Sequence, residues 1–291
     1  MATSPLHEPV LGWYAEHARD LPWRGPDRSP WGVLVSEVML QQTPVDRVVP
    51  AWEAWMTRWP RLGDLAQEPA GEAVRQWGRL GYPRRALRLH AAAQACRDRF
   101  DEQVPATYED LLSLPGVGDY TAAAVLAFAY GQRSVVLDTN VRRVLARLVT
   151  GQERAGPSIS SAERAMATAL VPEHDAVAAT WAVAVMELGA LVCTASAPRC
   201  HTCPVSHLCT WRLAGSPPHD APARPSQRFV GTDRQVRGLL LSVLRESRDP
   251  VGQPALDAVW HDPVQRARAL DGLVADGLVE PLAGSYYRLP L

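Results

Sequence analysis

The 291-residue chain contains no lysine: all 30 of its basic residues are arginine. Any reaction that uses a lysine amine as nucleophile is therefore excluded, leaving only the amino terminus to form a Schiff base. No run is long and apolar enough to cross a bilayer, and the opening residues MATSPLHEPV lack the basic and apolar regions of a signal peptide, so a cytoplasmic protein is expected. An excess of positive charge is missing too. The formal net charge is −1, so nucleic-acid binding would have to rest on local charge. Disulfides are not indicated: the cysteine count of five is odd, and Cys193, Cys200, Cys203 and Cys209 crowd together while Cys96 stands apart. That clustering, without a secretion signal, points to a metal site.

What is present is the composition of an ordinary globular protein, 47% apolar and 21% charged, in a chain long enough for one large domain and a smaller one. Apolar positions recur at threes and fours across residues 8–213 without a long alternating pattern, which predicts a mainly α domain. The expected helices lie near 8–19, 30–42, 44–59, 83–100, 107–113, 119–131, 139–149, 160–171 and 174–193. Residues 215–228, GSPPHDAPARPSQR, have four prolines and almost nothing to bury, and read as a linker between a domain over 1–214 and a smaller one over 229–291. In the latter, helices over 234–246 and 263–276 precede two short strands around Ala283 and Gly284, a pattern that suggests a winged-helix-like module.

Four segments carry chemistry. The cysteines are spaced by six, two and five residues, a four-thiolate set that suits zinc or an iron–sulfur cluster. His201 and His207 lie inside that loop and read as bystanders, and Cys96 reads as core. LPGVG (114–118) is a tight turn in which Gly116, Val117 and Gly118 lead into a helix; its amides suit a phosphate oxygen, although glycines alone fit a plain interhelical turn. Glu37 is flanked by Val33, Leu34, Val35, Val38, Met39 and Leu40, which implies a buried carboxyl with a raised pKa, or else a glutamate favoured by the helix dipole. Asp138 ends an apolar run where a helix begins, the place of an N-cap. Trp52, Trp55 and Trp59 recur at helical spacing and read as core.

RDLPWR (19–24), SEVMLQQT (36–43), RLGYPRRALRLH (79–90), LPGVG, LDTNVRRVL (137–145) and MELGALVC (186–193) occur in an order that resembles the A/G-specific adenine DNA glycosylases (MutY-like), iron–sulfur helix-hairpin-helix enzymes related to endonuclease III. The resemblance covers residues 9–213. It implies a six-helix barrel subdomain, a cluster subdomain with a 4Fe-4S cluster on the four cysteines, and double-stranded DNA bound by a monomer. It further implies that Glu37 protonates adenine N7, that Asp138, supported by Asn140 and beside Tyr120, stabilises the sugar cation, and that Arg24 and Glu187 contact the extruded base. Gln42 and Tyr82 would enter the stack left by the flipped nucleotide.

Tyr120 stands where endonuclease III-like enzymes place a nucleophilic lysine, which implies a monofunctional glycosylase. The chain departs from the family twice. Pro83 replaces a second tyrosine, and the 63 residues after the linker do not look like the larger carboxy-terminal domain that reads 8-oxoguanine in many adenine glycosylases. Two other readings compete. One is a thymine or uracil mismatch glycosylase, against which Glu37, Arg24 and Glu187 argue because a pyrimidine has no N7. The other is a non-catalytic DNA-binding protein with a structural metal site.

Overall fold

The computed structural model describes residues 4–218 and 229–291; the proline-rich stretch 215–228 lies outside them from residue 219 onward. The helices are α1 (His7–His17), α2 (Pro30–Leu40), α3 (Val45–Arg58), α4 (Leu62–Ala66), α5 (Ala70–Trp77), α6 (Arg84–Arg99), α7 (Tyr108–Leu112), α8 (Asp119–Tyr130), α9 (Thr139–Leu145), α10 (Ser161–Leu170), α11 (Asp175–Leu191), α12 (Thr210–Leu213), α13 (Asp233–Glu246), α14 (Gln253–Asp257) and α15 (Pro263–Ala275). Three short strands, β1 (Val251–Gly252), β2 (Glu280–Leu282) and β3 (Tyr286–Arg288), form one antiparallel sheet in the order β1-β3-β2. No helix among the described residues is long and apolar enough to cross a membrane.

The chain divides into two compact units. The first comprises Met1–Val33, Ala106–Glu109 and Val117–Arg224; the second comprises Leu34–Pro105, Asp110–Gly116 and Pro225–Leu291. In the first, α11 is apolar on nearly every face and is accordingly central. Its Ala178, Trp181, Ala184, Val185 and Leu188 share a core with Val10 and Trp13 of α1 and Val141, Val144 and Leu145 of α9. Gly189 lets α11 approach the start of α9: a Cβ there would lie 2.7 Å from the Asn140 Cβ and 3.0 Å from its carbonyl oxygen. In α8 the run Ala122, Ala123, Ala124 is buried, and Gly131 closes the helix in the left-handed region at φ 65°. The helix expected over 139–149 instead changes at Ala146 into a π-helical turn that runs to Thr150.

The second unit is built on tryptophan. Trp55 meets Trp59 and Trp77 edge-on, with ring centroids 4.7 and 5.8 Å apart, and all three are buried, whereas Trp52 is half-buried. Helices α4 and α5 were not expected from periodicity. They have five and eight residues, too few turns for a 3.6-residue pattern to stand out.

Residues 229–291 carry α13, β1, α14, α15, β2 and β3, with the small sheet at the carboxy-terminal end of the chain. This module shares its unit with α3, α5 and α6. Arg75 of α5 donates to the Ser247 carbonyl at 2.8 Å and to the Arg245 carbonyl, and Arg245 donates to the Val74 carbonyl at 2.9 Å. The Gly71 amide donates to the Pro290 carbonyl at 2.6 Å, in a space so tight that a Cβ on Gly71 would sit 2.5 Å from that oxygen. The sequence boundary at the linker and the physical boundary therefore differ.

Candidate active site

Asp138 caps α9. Its Oδ1 accepts from the Val141 amide at 2.6 Å, and its Oδ2 accepts from Asn140 Nδ2 at 2.8 Å. An ionised carboxylate has about four acceptor positions, so the group is held by Val141 and Asn140 and still has acceptor capacity to offer. Asn140 is oriented in turn, because Arg143 Nη2 donates to its Oδ1 at 2.7 Å. The same guanidinium donates to the Gly189 carbonyl at 2.7 Å and, through Nε, to the Cys193 carbonyl at 2.8 Å. Burial lifts the Asp138 carboxyl above the usual carboxylate range, opposed by the Val141 and Asn140 hydrogen bonds and the Arg143 charge. Tyr120, half-buried, packs with Ala123, Ala124, Ala127, Val136 and Ala182 of the same unit.

Glu187 is fully buried in α11 and accepts four N–H groups: the Arg19 amide at 3.0 Å, Arg19 Nε and Nη2 at 2.7 Å each, and Arg24 Nη2 at 3.0 Å. Burial alone would raise its pKa, but the hydrogen bonds from Arg19 and Arg24 outweigh it and hold the carboxyl down at about 2. Arg24 keeps one buried nitrogen, Nη1, without a hydrogen-bond partner. Arg19 belongs to the RDLPWR segment, but sequence reasoning singled out only Arg24 there. The partner that reveals Arg19 lies 168 residues away.

Glu37, Gln42, Tyr82 and Gly116 belong to the second unit; Arg24, Val117, Gly118, Tyr120, Asp138, Asn140, Glu187 and the four clustered cysteines belong to the first. Glu37 is 4% exposed on α2, between the buried Val33, Leu34, Val35, Val38 and Met39. Gln42 and Tyr82 are exposed, and both are non-glycine residues at positive φ, 56° and 47°. The LPGVG turn joins α7 to α8. Gly116 has φ 81° and a Cβ there would fall 2.7 Å from the Arg88 Cβ, while Gly118 is the N-cap of α8. Gly116 is thus required by the turn, whereas Gly118 has extended backbone with open space where a Cβ would be; the start of α8 leaves its first amides without intrahelical partners.

The four cysteines of the 193–209 loop line one pocket, together with Val144, Leu188, Trp211 and Arg147. His201 and His207 are exposed and do not line it. Burial pushes the Cys203 thiol up to about 11 and raises Cys193, and thiols become metal ligands by releasing their protons as the metal binds. Among the described residues no group of three or more His, Cys, Asp or Glu is arranged for a single ion. A lone zinc needs four sulfurs about 2.3 Å from one point; a polynuclear cluster spreads its thiolates around a larger body and fits a pocket ringed by all four. Arg147, buried, clasps the loop by donating to the Thr194 carbonyl at 2.8 Å and to Cys193 Sγ at 3.3 Å, with its guanidinium 4.8 Å from the Trp211 ring centroid. Cys96 is core, its thiol pushed up to about 12 by burial.

Residues 35–169 match the model of the HhH-GPD superfamily of base excision DNA repair proteins, and residues 193–209 match that of the iron-sulfur binding domain of endonuclease III. The chain is 52% identical to an adenine DNA glycosylase of Mycolicibacterium smegmatis, over 99% of this chain and 97% of that one. It is 50% identical to one of Mycobacterium tuberculosis, over 99% and 95%. Among solved structures it is similar to a thermostable thymine-DNA glycosylase, with a TM-score of 0.64 and 26% identity over 71% of this chain and 94% of that one. The chain belongs to the adenine DNA glycosylase family: it is a base-excision-repair enzyme that hydrolyses the N-glycosyl bond of adenine in DNA, and it carries an iron–sulfur cofactor of the 4Fe-4S type.

Proposed function

We propose that the enzyme removes adenine paired with 8-oxoguanine or guanine, as a monofunctional glycosylase acting as a monomer on cytoplasmic, nucleoid-associated DNA. The observation that carries the reading is the carboxylate of Asp138, fixed by Val141 and Asn140 yet with acceptor capacity still to offer. The hairpin around Gly116, Val117 and Gly118 holds phosphates through backbone amides, which anchors the duplex without reading its sequence. Gln42 and Tyr82 enter the stack as the adenine swings out. Arg24 faces the extruded base, held by Glu187, whose four acceptor positions are filled; the unpartnered Arg24 Nη1 is a donor ready for a ring nitrogen.

Glu37, buried on α2, gives a proton to adenine N7 as the C1′–N9 bond breaks and its electron pair leaves with the base. Positive charge develops on the sugar, where Asp138 stabilises it, with Asn140 and Tyr120 alongside. Water then bonds to C1′ and surrenders a proton, leaving an abasic site. With no lysine in the chain, no lysine amine attacks that site and the strand stays intact. Cys193, Cys200, Cys203 and Cys209 would hold the 4Fe-4S cluster, which when bound ties the 193–209 loop to the helical core. Residues 1–214 carry this chemistry, and residues 229–291 brace the second unit through α5.

Single-turnover base release tests the reading, on duplexes carrying A opposite 8-oxoguanine, A opposite G, T opposite G and U opposite G, with and without alkali. Adenine release with strand breakage only after alkali is the expected result; release of thymine or uracil instead would overturn it.

A further inference from the structure

Arg85 lies in the first turn of α6 and is only 5% exposed. Its Nη1 donates to the carbonyls of Val38 and Met39 at 2.9 Å each and of Gln41 at 2.5 Å; its Nη2 donates to Thr43 Oγ1 at 2.9 Å and to the Gly81 carbonyl at 3.1 Å. Helix α2, which bears Glu37, ends at Leu40, so Val38 and Met39 are among the last residues, whose carbonyls have no intrahelical partner. The other two peptide acceptors have a different meaning. Gln41 immediately precedes Gln42 and Gly81 immediately precedes Tyr82, the two exposed residues held at positive φ.

A non-glycine residue stays in that region only where its surroundings over-determine it. Here one guanidinium is bonded to the peptide in front of each. The contact extends to the Tyr82 ring, whose centroid lies 5.5 Å from the Arg85 guanidinium carbon, and Trp77 Nε1 donates to the same Gly81 carbonyl at 2.9 Å. None of the hydrogen-bond partners of Arg85 is a carboxylate, and its Nε is buried with no partner. A buried cation without a counter-ion is costly, and burial draws its pKa down to about 10. Capping a helix end does not need such a group, since a neutral donor would satisfy the same carbonyls. Bridging two separate turns does, because only a planar fork with five donors reaches both.

We propose that Arg85 is a positioning residue for base extrusion, which locks Gln42 and Tyr82 into a single rigid two-pronged wedge. The inference rests on the reading of Gln42 and Tyr82 as the residues that enter the stack. Arg85 is buried and acts through the peptides at Gln41 and Gly81.

The test compares full-length Arg85→Lys, the Gln42→Ala Tyr82→Ala double variant and the triple combination. Each is read by melting temperature, by the fluorescence of a 2-aminopurine placed next to the target adenine, which brightens on unstacking, and by single-turnover excision opposite 8-oxoguanine. Lysine keeps the charge but cannot span both turns, so Arg85→Lys is expected to lower the fluorescence rise and the excision rate by about tenfold, with little change in melting temperature. The triple variant is expected to lose no more than the double, since residues acting as one unit are not additive. Wild-type extrusion by Arg85→Lys, or losses that multiply in the triple variant, would overturn the proposal. Should Arg85→Lys fail to fold, Thr43→Val removes one Nη2 acceptor and is expected to give a weaker form of the same fluorescence loss; an unchanged signal there counts equally against it. If the Gln42→Ala Tyr82→Ala variant itself extrudes normally, the wedge reading has failed whatever Arg85 does.

Discussion

The carboxylate of Glu187 is fully buried and faces two guanidiniums, whereas the guanidinium of Arg85 is nearly as buried and is hydrogen-bonded only to carbonyls and a hydroxyl. The first charge is neutralised by opposite charge, so its geometry is that of an ion pair and its pKa falls to about 2. The second is met by dipoles and by the faces of the Trp77 and Tyr82 rings, with no opposite charge, and burial draws its pKa from 12.5 to about 10. The difference teaches what each region has to do. Around Glu187 and Asp138 the protein fixes carboxyl groups by hydrogen bonds, which suits the proposed chemistry on a developing cation. Around Arg85 it holds backbone shape, which suits the proposed insertion of Gln42 and Tyr82 into a base stack.

Replacing Asp138 with Asn strikes the charge-holding region at its centre. Mismatch binding by gel shift is expected to stay largely intact while excision falls by at least about 10²-fold; comparable excision would remove Asp138 from the mechanism. Glu187→Gln sharpens the comparison next, since it leaves Arg19 and Arg24 facing a neutral amide. A loss of about 3 kcal/mol in urea unfolding is expected from breaking a buried pair. The pH dependence carries the sign. Because the folded pKa lies below the ordinary 4.5, the stabilising contribution of Glu187 is complete above pH 4.5 and is lost as pH falls towards about 2. Acid titration of the Gln variant should therefore lack that part of the transition.

Gly189→Ala tests whether the orientation of Asn140 matters apart from charge. Its Cβ would press on Asn140, 2.7 Å away, so about 1 kcal/mol of stability should be lost. Excision should fall further than that loss of stability explains, because Asn140 holds Asp138. The smallest effect on excision is expected of Gly71→Ala. It crowds the Pro290 carbonyl and should loosen the carboxy-terminal module from α5, lowering the melting temperature while single-turnover excision stays near that of the parent. A strong loss of excision there would mean that the module shapes the site.

Much of this was legible in the linear chain. Long helices such as α3, α6 and α8 announced themselves by periodicity, and Asp138 by its position at the start of a helix. The hairpin and the cysteine loop were legible because their function depends on residues close together in sequence. Helices α4 and α5 were not, having too few turns, and neither was β1, which has two residues and exists only through its pairing with Tyr286 and Tyr287. Arg19 and Arg85 were passed over for another reason. An arginine among 30 carries no local signal, and the acceptors that define these two lie 168 and 42 to 47 residues away, apart from Gly81.

By itself the sequence determined the helical class, the four-thiol loop and, through the absence of lysine, the exclusion of a lysine nucleophile. Each of these is either a local pattern or a matter of composition. Only the tertiary structure decided which arginines neutralise Glu187, which guanidinium spans the turns before Gln42 and Tyr82, and that the carboxy-terminal residues join the unit of α5. Those are pairings between distant segments, and a hydrogen bond across a fold has no periodicity to read.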